Sequence, residues 1–379
     1  MNNTNATVTL PDNAAPAGRS LFQRVRPALV VALLYILFIG LEALIHRHGV
    51  LYYIHIGARF ALHEPKAAPG YDGQFYYQIA RDPLHAAQFL DHPPYRYQRI
   101  VYPMLVAALS LGQASIIPYM LLVVNFVSIV LGTELLARLL IKHNLSPWFS
   151  LAFGLYFGQA SSFIFDTTEP LTYFLVCLGL FLMVRKRPTV AGITMGLAVL
   201  SRETALLFPL GYLIGHLYYR RWQMALRLFL LSVMPTIVWY AIIALLFKAT
   251  GVTTAPAFQL IPFGGLFYFA HDTYRFHSLI ILMLIPTLLS WFLIIKGALR
   301  HRWKNEAWLI WLVNLVLVTC MSPLSYVELI SAGRLSTGLV LAMLFYGCVT
   351  KNKIILWACQ IYALTFLYYT IGVLAFRLH

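Results

Sequence analysis

Apolar runs of about 17–25 residues recur along the chain, separated by short polar or basic stretches, the spacing of successive membrane-spanning helices. The runs fall at 28–46, 115–137, 148–165, 170–184, 189–204, 205–219, 228–247, 278–295, 307–324, 335–350 and 354–374. They predict an all-α, polytopic membrane protein of about eleven transmembrane helices. Segments 189–204 and 205–219 are short and share a break around Arg202–Pro209. "YPMLVAALSLG", 102–112, is too short to cross a bilayer and is expected to lie along its surface or re-enter. The longest polar interruption is 47–100, or 47–113 with that short stretch included. It carries Phe75, Tyr76, Ile79, Leu84, Phe89, Tyr95 and Tyr97, which predict amphipathic surface helices rather than a soluble domain.

Composition sharpens this picture. With 60% hydrophobic residues, 11% charged and a mean hydropathy of +0.74, the chain has too much apolar surface for one water-soluble core. One integral-membrane domain is expected over 19–379, preceded by a disordered cytoplasmic tail at 1–18. Arg19, Arg24 and Arg26 precede a first apolar run too long for a cleaved signal peptide, so it reads as an uncleaved anchor with its N-terminus in the cytoplasm. Cys177, Cys320, Cys348 and Cys359 show no paired spacing and are expected to pack as small apolar residues.

The net charge of +15 reports topology and contact with anionic lipids rather than nucleic acid. Seventeen of the 28 Lys and Arg fall on the expected cytoplasmic side: Arg19, Arg24, Arg26, Arg138, Lys142, "RKR" 185–187, Arg220, Arg221, Arg227, Lys296, Arg300, Arg302, Lys304, Lys351 and Lys353. Only Asp12, Glu134 and Glu306 accompany them, so that face carries +14 and the opposite face +1. Ten of the 13 acids therefore lie on the expected outer face: Glu42, Glu64, Asp72, Asp82, Asp91, Asp166, Glu169, Glu203, Asp272 and Glu328. Acids contribute little to membrane orientation, so their placement points to an extracytoplasmic site or simply to solvated loops.

Four stretches could carry chemistry. In "GYDGQFYYQIA", Asp72 either caps a helix through the Phe75 amide, or is a carboxylate base for a bound hydroxyl among Tyr71, Tyr76 and Tyr77, whose rings suit sugar faces. In "PPYRYQRIVYP", Arg96 and Arg99 either snorkel to the interface or clamp a lipid-linked phosphate. In "FDTTEPL", Asp166 and Glu169 either cap the next helix or face Asp72 across an outer cavity. In "LSRETALLFP", Arg202 and Glu203 stand near membrane depth, where ionisable groups face a cavity or pair with another helix. "YVELISAGRLS" brings Glu328 and Arg334 to the outer end of a late span, and His271, Asp272 and His277 have spacing too weak to define a metal site. The chain has no nucleotide-cradling Gly-rich loop, no HExxH and no GxSxG.

In order along the chain, the anchor helix, "YDGQFYY", "DTTEPL", "GLAVLSRETALLFP" and "AGRLSTGLVLAMLFY" resemble integral-membrane glycosyltransferases of the GT-C superfamily. The closest resemblance is to bacterial cell-surface glycopolymer formation proteins and PIG-V-type mannosyltransferases. It implies transfer of a sugar from a polyprenyl-phosphate donor to a glycan or lipid acceptor, at an extracytoplasmic site in the bacterial inner membrane. Asp72 would be the catalytic base. Tyr71, Gln74, Tyr76, Arg96, Arg99, Asp166, Glu169, Arg202, Glu203, Glu328 and Arg334 would bind substrates, the arginines holding the lipid phosphate. Many such enzymes pair two acids in this loop around a divalent metal. Here Asp72 is followed by Gly73 and Gln74, and the next acid is Asp82, which leaves metal dependence open. A transporter or flippase of lipid-linked sugars is the competing class, although no inverted repeat is apparent. An acyltransferase would need a partnered membrane histidine, which His216 does not suggest.

Overall fold

The computed structural model describes residues 26–251, 258–299 and 305–376. The expected tail 1–18 and the cations Arg19, Arg24, Arg300, Arg302 and Lys304 lie outside the described residues. The principal helices are α1 (Pro27–His46), α2 (Asp72–Arg81), α3 (Val101–Leu109), α4 (Ile117–Lys142), α5 (Phe157–Ile164), α6 (Glu169–Val184) and α7 (Pro188–Ser201). They are followed by α8 (Leu207–Tyr218), α9 (Trp222–Phe247), α10 (Thr273–Leu299), α11 (Glu306–Thr319), α12 (Leu329–Val349) and α13 (Lys353–Phe376).

Six helices, α1, α4, α9, α10, α12 and α13, are long and apolar enough to cross a membrane; α6, α7 and α11 are shorter apolar helices. The chain is an integral membrane protein. The expected span at 148–165 is corrected: it is broken into Pro147–Ser150, Leu151–Gly154 and α5. The break falls at Tyr156, whose backbone is extended, and two glycines explain it. A Cβ on Gly158 would stand 2.3 Å from the Gly333 carbonyl oxygen, and one on Gly154 2.5 Å from Thr133 Oγ1. The segment turns there to let α12 and α4 approach.

The two spans that most exceed the apolar pattern, α9 and α10, both contain a π turn. Phe229–Val233 precedes Met234–Pro235 in α9, and Ile280–Leu284 precedes Ile285–Pro286 in α10. A proline cannot donate to the preceding turn and clashes with its carbonyl. Widening that turn lets the helix continue past the proline.

Alternate ends of the helices gather different chemistry. The N-terminal ends of α2, α6 and α12 and the C-terminal end of α7 meet at one end of the bundle. At the other, Lys142 Nζ donates to the Val184 carbonyl at 2.9 Å beside Arg185–Arg187, and Arg221 Nη1 lies 3.3 Å from Glu306. α12 is the core of the bundle, with 83% of its apolar window buried, against 28% for α1 and 22% for α9. α1 turns Leu29, Leu33, Ile36, Leu37 and Leu44 outward, a face suited to lipid. The four cysteines are free, with Cys177, Cys348 and Cys359 buried in the packing.

Candidate active site

Asp72 is the first residue of α2. The helix is entered through Tyr71, and no side chain caps it, so the capping role considered for Asp72 is not the one it performs. Its Oδ1 instead accepts from Arg96 Nη1 at 2.7 Å, and its Oδ2 from Arg334 Nη2 at 2.8 Å. A carboxylate in the first turn also meets the positive end of the helix dipole. Burial opposes its charge, but Arg96 and then Arg334 outweigh that cost and hold the carboxyl well below the usual range. The side chain keeps 21% of its surface accessible.

Gly73 makes this placement possible. A Cβ there would lie 2.6 Å from the Phe165 carbonyl oxygen and 3.0 Å from that of Ile54, so the first turn of α2 sits directly on the α5–α6 turn. Gln74 fixes the approach loop, accepting from the Gly57 amide at 3.0 Å and donating to the Pro69 carbonyl at 2.6 Å. Both ends of its amide are thereby committed, and it is buried, so the structure places Gln74 as a staple of the loop.

Each arginine has a distinct set of partners. Arg96, on the short helix Pro93–Tyr97, forks onto Asp91 through Nε at 2.8 Å and Nη2 at 2.7 Å, and stacks 4.2 Å from the Phe75 ring centre. Arg99 forks onto Glu203 at 3.0 and 2.6 Å, donates to Tyr76 Oη at 3.1 Å and to Tyr95 Oη, and lies 4.5 Å from the Tyr95 ring centre. Arg334 donates through Nε to Glu169 Oε1 at 2.5 Å and through Nη1 to Tyr71 Oη at 3.0 Å. Arg202 Nη1 is 2.6 Å from the same Glu169 oxygen, but at an angle that makes no hydrogen bond, and its buried Nε has no hydrogen-bond partner either. Arg202 and Glu203, adjacent in sequence, thus pair with different elements, as neighbouring positions that point apart must.

The site is therefore a partly buried network of Arg96, Arg99, Arg202 and Arg334 with Asp72, Asp91, Glu169 and Glu203, in which fixed charges balance. Such a network is costly to desolvate unless well hydrogen-bonded, and most of its members are. The exceptions are Arg202, with donor capacity unspent, and Glu169 Oε2, buried without a hydrogen-bond partner. Tyr76 is fully buried and supports Arg99 from behind. Glu328 lies at the rim, exposed, accepting from Ser331 Oγ at 3.4 Å, while Ser331 in turn contacts Tyr71 Oη at 3.2 Å.

Asp166 is set apart. It has no accessible surface, lies against Gly73 in a left-handed conformation (φ +47°), and neither carboxyl oxygen has a hydrogen-bond partner. Burial pushes its carboxyl well above the usual range, so the protonated form is the one this position favours.

Among the described residues no group of three or more His, Cys, Asp or Glu is arranged to hold a metal ion. Asp272 caps its helix by accepting from the Arg275 amide at 3.1 Å, and His271 and His277 donate Nδ1 to the Tyr268 and Thr273 carbonyls. Two groups escaped the sequence reading. Asp91, noted only as an outer acid, orients Arg96. Glu42, buried in the last turn of α1, accepts from Tyr53 Oη at 2.5 Å and pairs with His48 Nε2 at 2.7 Å. The rarity of acids marked both residues, but nothing in the pattern named their partners.

No family model and no curated protein matches the chain. A crystal structure of ArnT from Cupriavidus metallidurans bound to undecaprenyl phosphate is similar at 14% identity and a TM-score of 0.47, covering 89% of this chain and 76% of that one. A likeness of that size assigns no activity to this chain.

Proposed function

We propose that this protein is a membrane glycosyltransferase of the GT-C type, moving a sugar from a polyprenyl-phosphate donor to a glycan or lipid acceptor on the extracytoplasmic face of the bacterial inner membrane. The observation that carries the reading is the convergence of Arg96, Arg334 and Arg202 around Asp72 and Glu169, at the membrane-domain end opposite the basic turns. Guanidinium groups suit a phosphate geometrically, and outside the cytoplasm a lipid is the natural carrier of an activated sugar.

In the proposed step, Asp72 accepts the proton of the acceptor hydroxyl as its oxygen bonds to the anomeric carbon. The bond from that carbon to the phosphate oxygen breaks, and its electron pair stays on the phosphate. The prenyl phosphate leaves with added negative charge, which the arginines stabilise as it develops. Arg202, with unspent donors, is assigned to the phosphate. Glu203 and Arg99, whose glutamate side chain is 36% exposed, line the same side. Tyr71 and Glu328 stand at the rim where the acceptor sugar would enter.

Mass spectrometry of polyprenyl-phosphate sugars and envelope glycans from a deletion strain tests this. Accumulation of donor in the outer leaflet with loss of one glycan residue is expected. Donor confined to the inner leaflet would instead identify a flippase.

A further inference from the structure

Each carboxylate oxygen of Asp72 accepts from a guanidinium group, and two cations held that close make its remaining lone pairs a weak base toward the acceptor proton. Resting on the transfer reading above, we infer that Arg96 and Arg334 form the donor-phosphate site and that Asp72 occupies it as an internal anion until the donor arrives. Binding of the donor phosphate and release of the base are then one event.

Three features support this arrangement. First, the two arginines come from distant segments, the Pro93–Tyr97 turn and α12, and meet on opposite oxygens of one carboxylate. The phosphodiester of the donor offers two similarly spaced non-bridging oxygens and the same single negative charge, so it can satisfy the same pair. Second, neither arginine depends on Asp72 for its position. Arg96 stays forked on Asp91, and Arg334 stays bonded to Glu169 and Tyr71. The cradle therefore persists when the carboxylate leaves. Third, Asp72 stands at the very start of α2 and is part-exposed, so a change of its side-chain rotamer releases it without moving the helix.

The consequence is an order of events. Without donor, Asp72 is an ion-pair partner and a poor base. With donor bound, the phosphate takes the arginines and the freed carboxylate regains basicity beside the anomeric carbon. Acceptor activation in the absence of donor is suppressed.

The test uses the full-length protein in lipid nanodiscs, with farnesyl phosphate as the probe, and compares affinities by calorimetric titration. Asp72→Asn removes the competing anion and should bind farnesyl phosphate at least about tenfold more tightly than wild type, a difference of about 1.4 kcal/mol. Arg96→Gln should bind it more weakly by a similar factor. Asp72→Ser, which keeps a polar group at the helix start, should tighten binding too and serves if the asparagine variant folds poorly. Unchanged or weaker binding in folded Asp72→Asn and Asp72→Ser would overturn the inference. Lost transfer with unchanged affinity would leave Asp72 as base but place the phosphate elsewhere, overturning this inference and sparing the transferase. Tighter binding with normal turnover would support the shared site and remove the catalytic role.

Discussion

Asp72 and Arg334, 262 positions apart in sequence, meet at 2.8 Å and tie the first turn of α2 to the N-terminal end of the central helix α12. Glu169, at the start of α6, joins the same guanidinium at 2.5 Å. The contact therefore joins three segments that the sequence marks separately, and it makes the Asp72 carboxylate part of the structural frame.

Sidedness is the first consequence to check. The division of charge predicts that 47–100 is extracytoplasmic and 185–187 cytoplasmic. Gln88 and Thr189 are both exposed, so single cysteines there report orientation without disturbing the packing. Gln88→Cys should react with a membrane-impermeant maleimide from outside intact cells and Thr189→Cys only after lysis. The reverse pattern inverts the topology and removes the extracytoplasmic site.

Asp166 supplies a pH test. Its folded-state pKa is raised by burial, so the folded chain keeps a proton that the unfolded chain releases above about pH 3.9. Stability from this group is thus full in acid and lost as pH rises. Asp166→Asn, which needs no proton, should gain on wild type progressively above that pH, by up to about 1.4 kcal/mol per unit until the folded group itself titrates. Thermal unfolding in detergent from pH 4 to 8 measures it. A deficit in the variant that grows as pH rises would show that the carboxylate, not the acid, is needed.

Arg202 separates charge from geometry. If its unspent donors hold the donor phosphate, Arg202→Lys should keep the contact with Glu169 but lose the planar fork, raising the apparent KM for donor about tenfold with little change in melting temperature. A melting temperature that falls while KM stays constant would make Arg202 a structural partner of Glu169.

Much of this was legible in the chain. Ten of the eleven apolar runs located a helix, because bilayer solvation imposes a length and a hydropathy on each. The scarcity of acids singled out Asp72, Glu169, Glu203 and Glu328 without any knowledge of the fold. What the pattern could not supply is pairing, because ion pairs such as Arg99–Glu203 and Arg334–Asp72 are set by tertiary approach and leave no periodic trace. Asp72 offers the clearest case: local rules allowed a helix cap beside a functional carboxylate, and in the structure two arginines from elsewhere hold the side chain in place of a cap. The break within 148–165 had a local signal, the glycines of "FGLYFG". Its cause is close backbone approach by α12, which hydropathy cannot express.

The central claim is that Asp72 takes the acceptor proton. Asp72→Asn preserves size and a helix-compatible start but cannot accept that proton, and loss of a general base costs about 10²–10⁴ in rate. The decisive measurement is single-turnover transfer by purified Asp72→Asn at saturating donor. A fall of that size in the single-turnover rate constant, in a protein that melts like wild type and still binds donor, is the result expected. Turnover within a few-fold of wild type would contradict the account and leave Asp72 as an ion-pair partner alone.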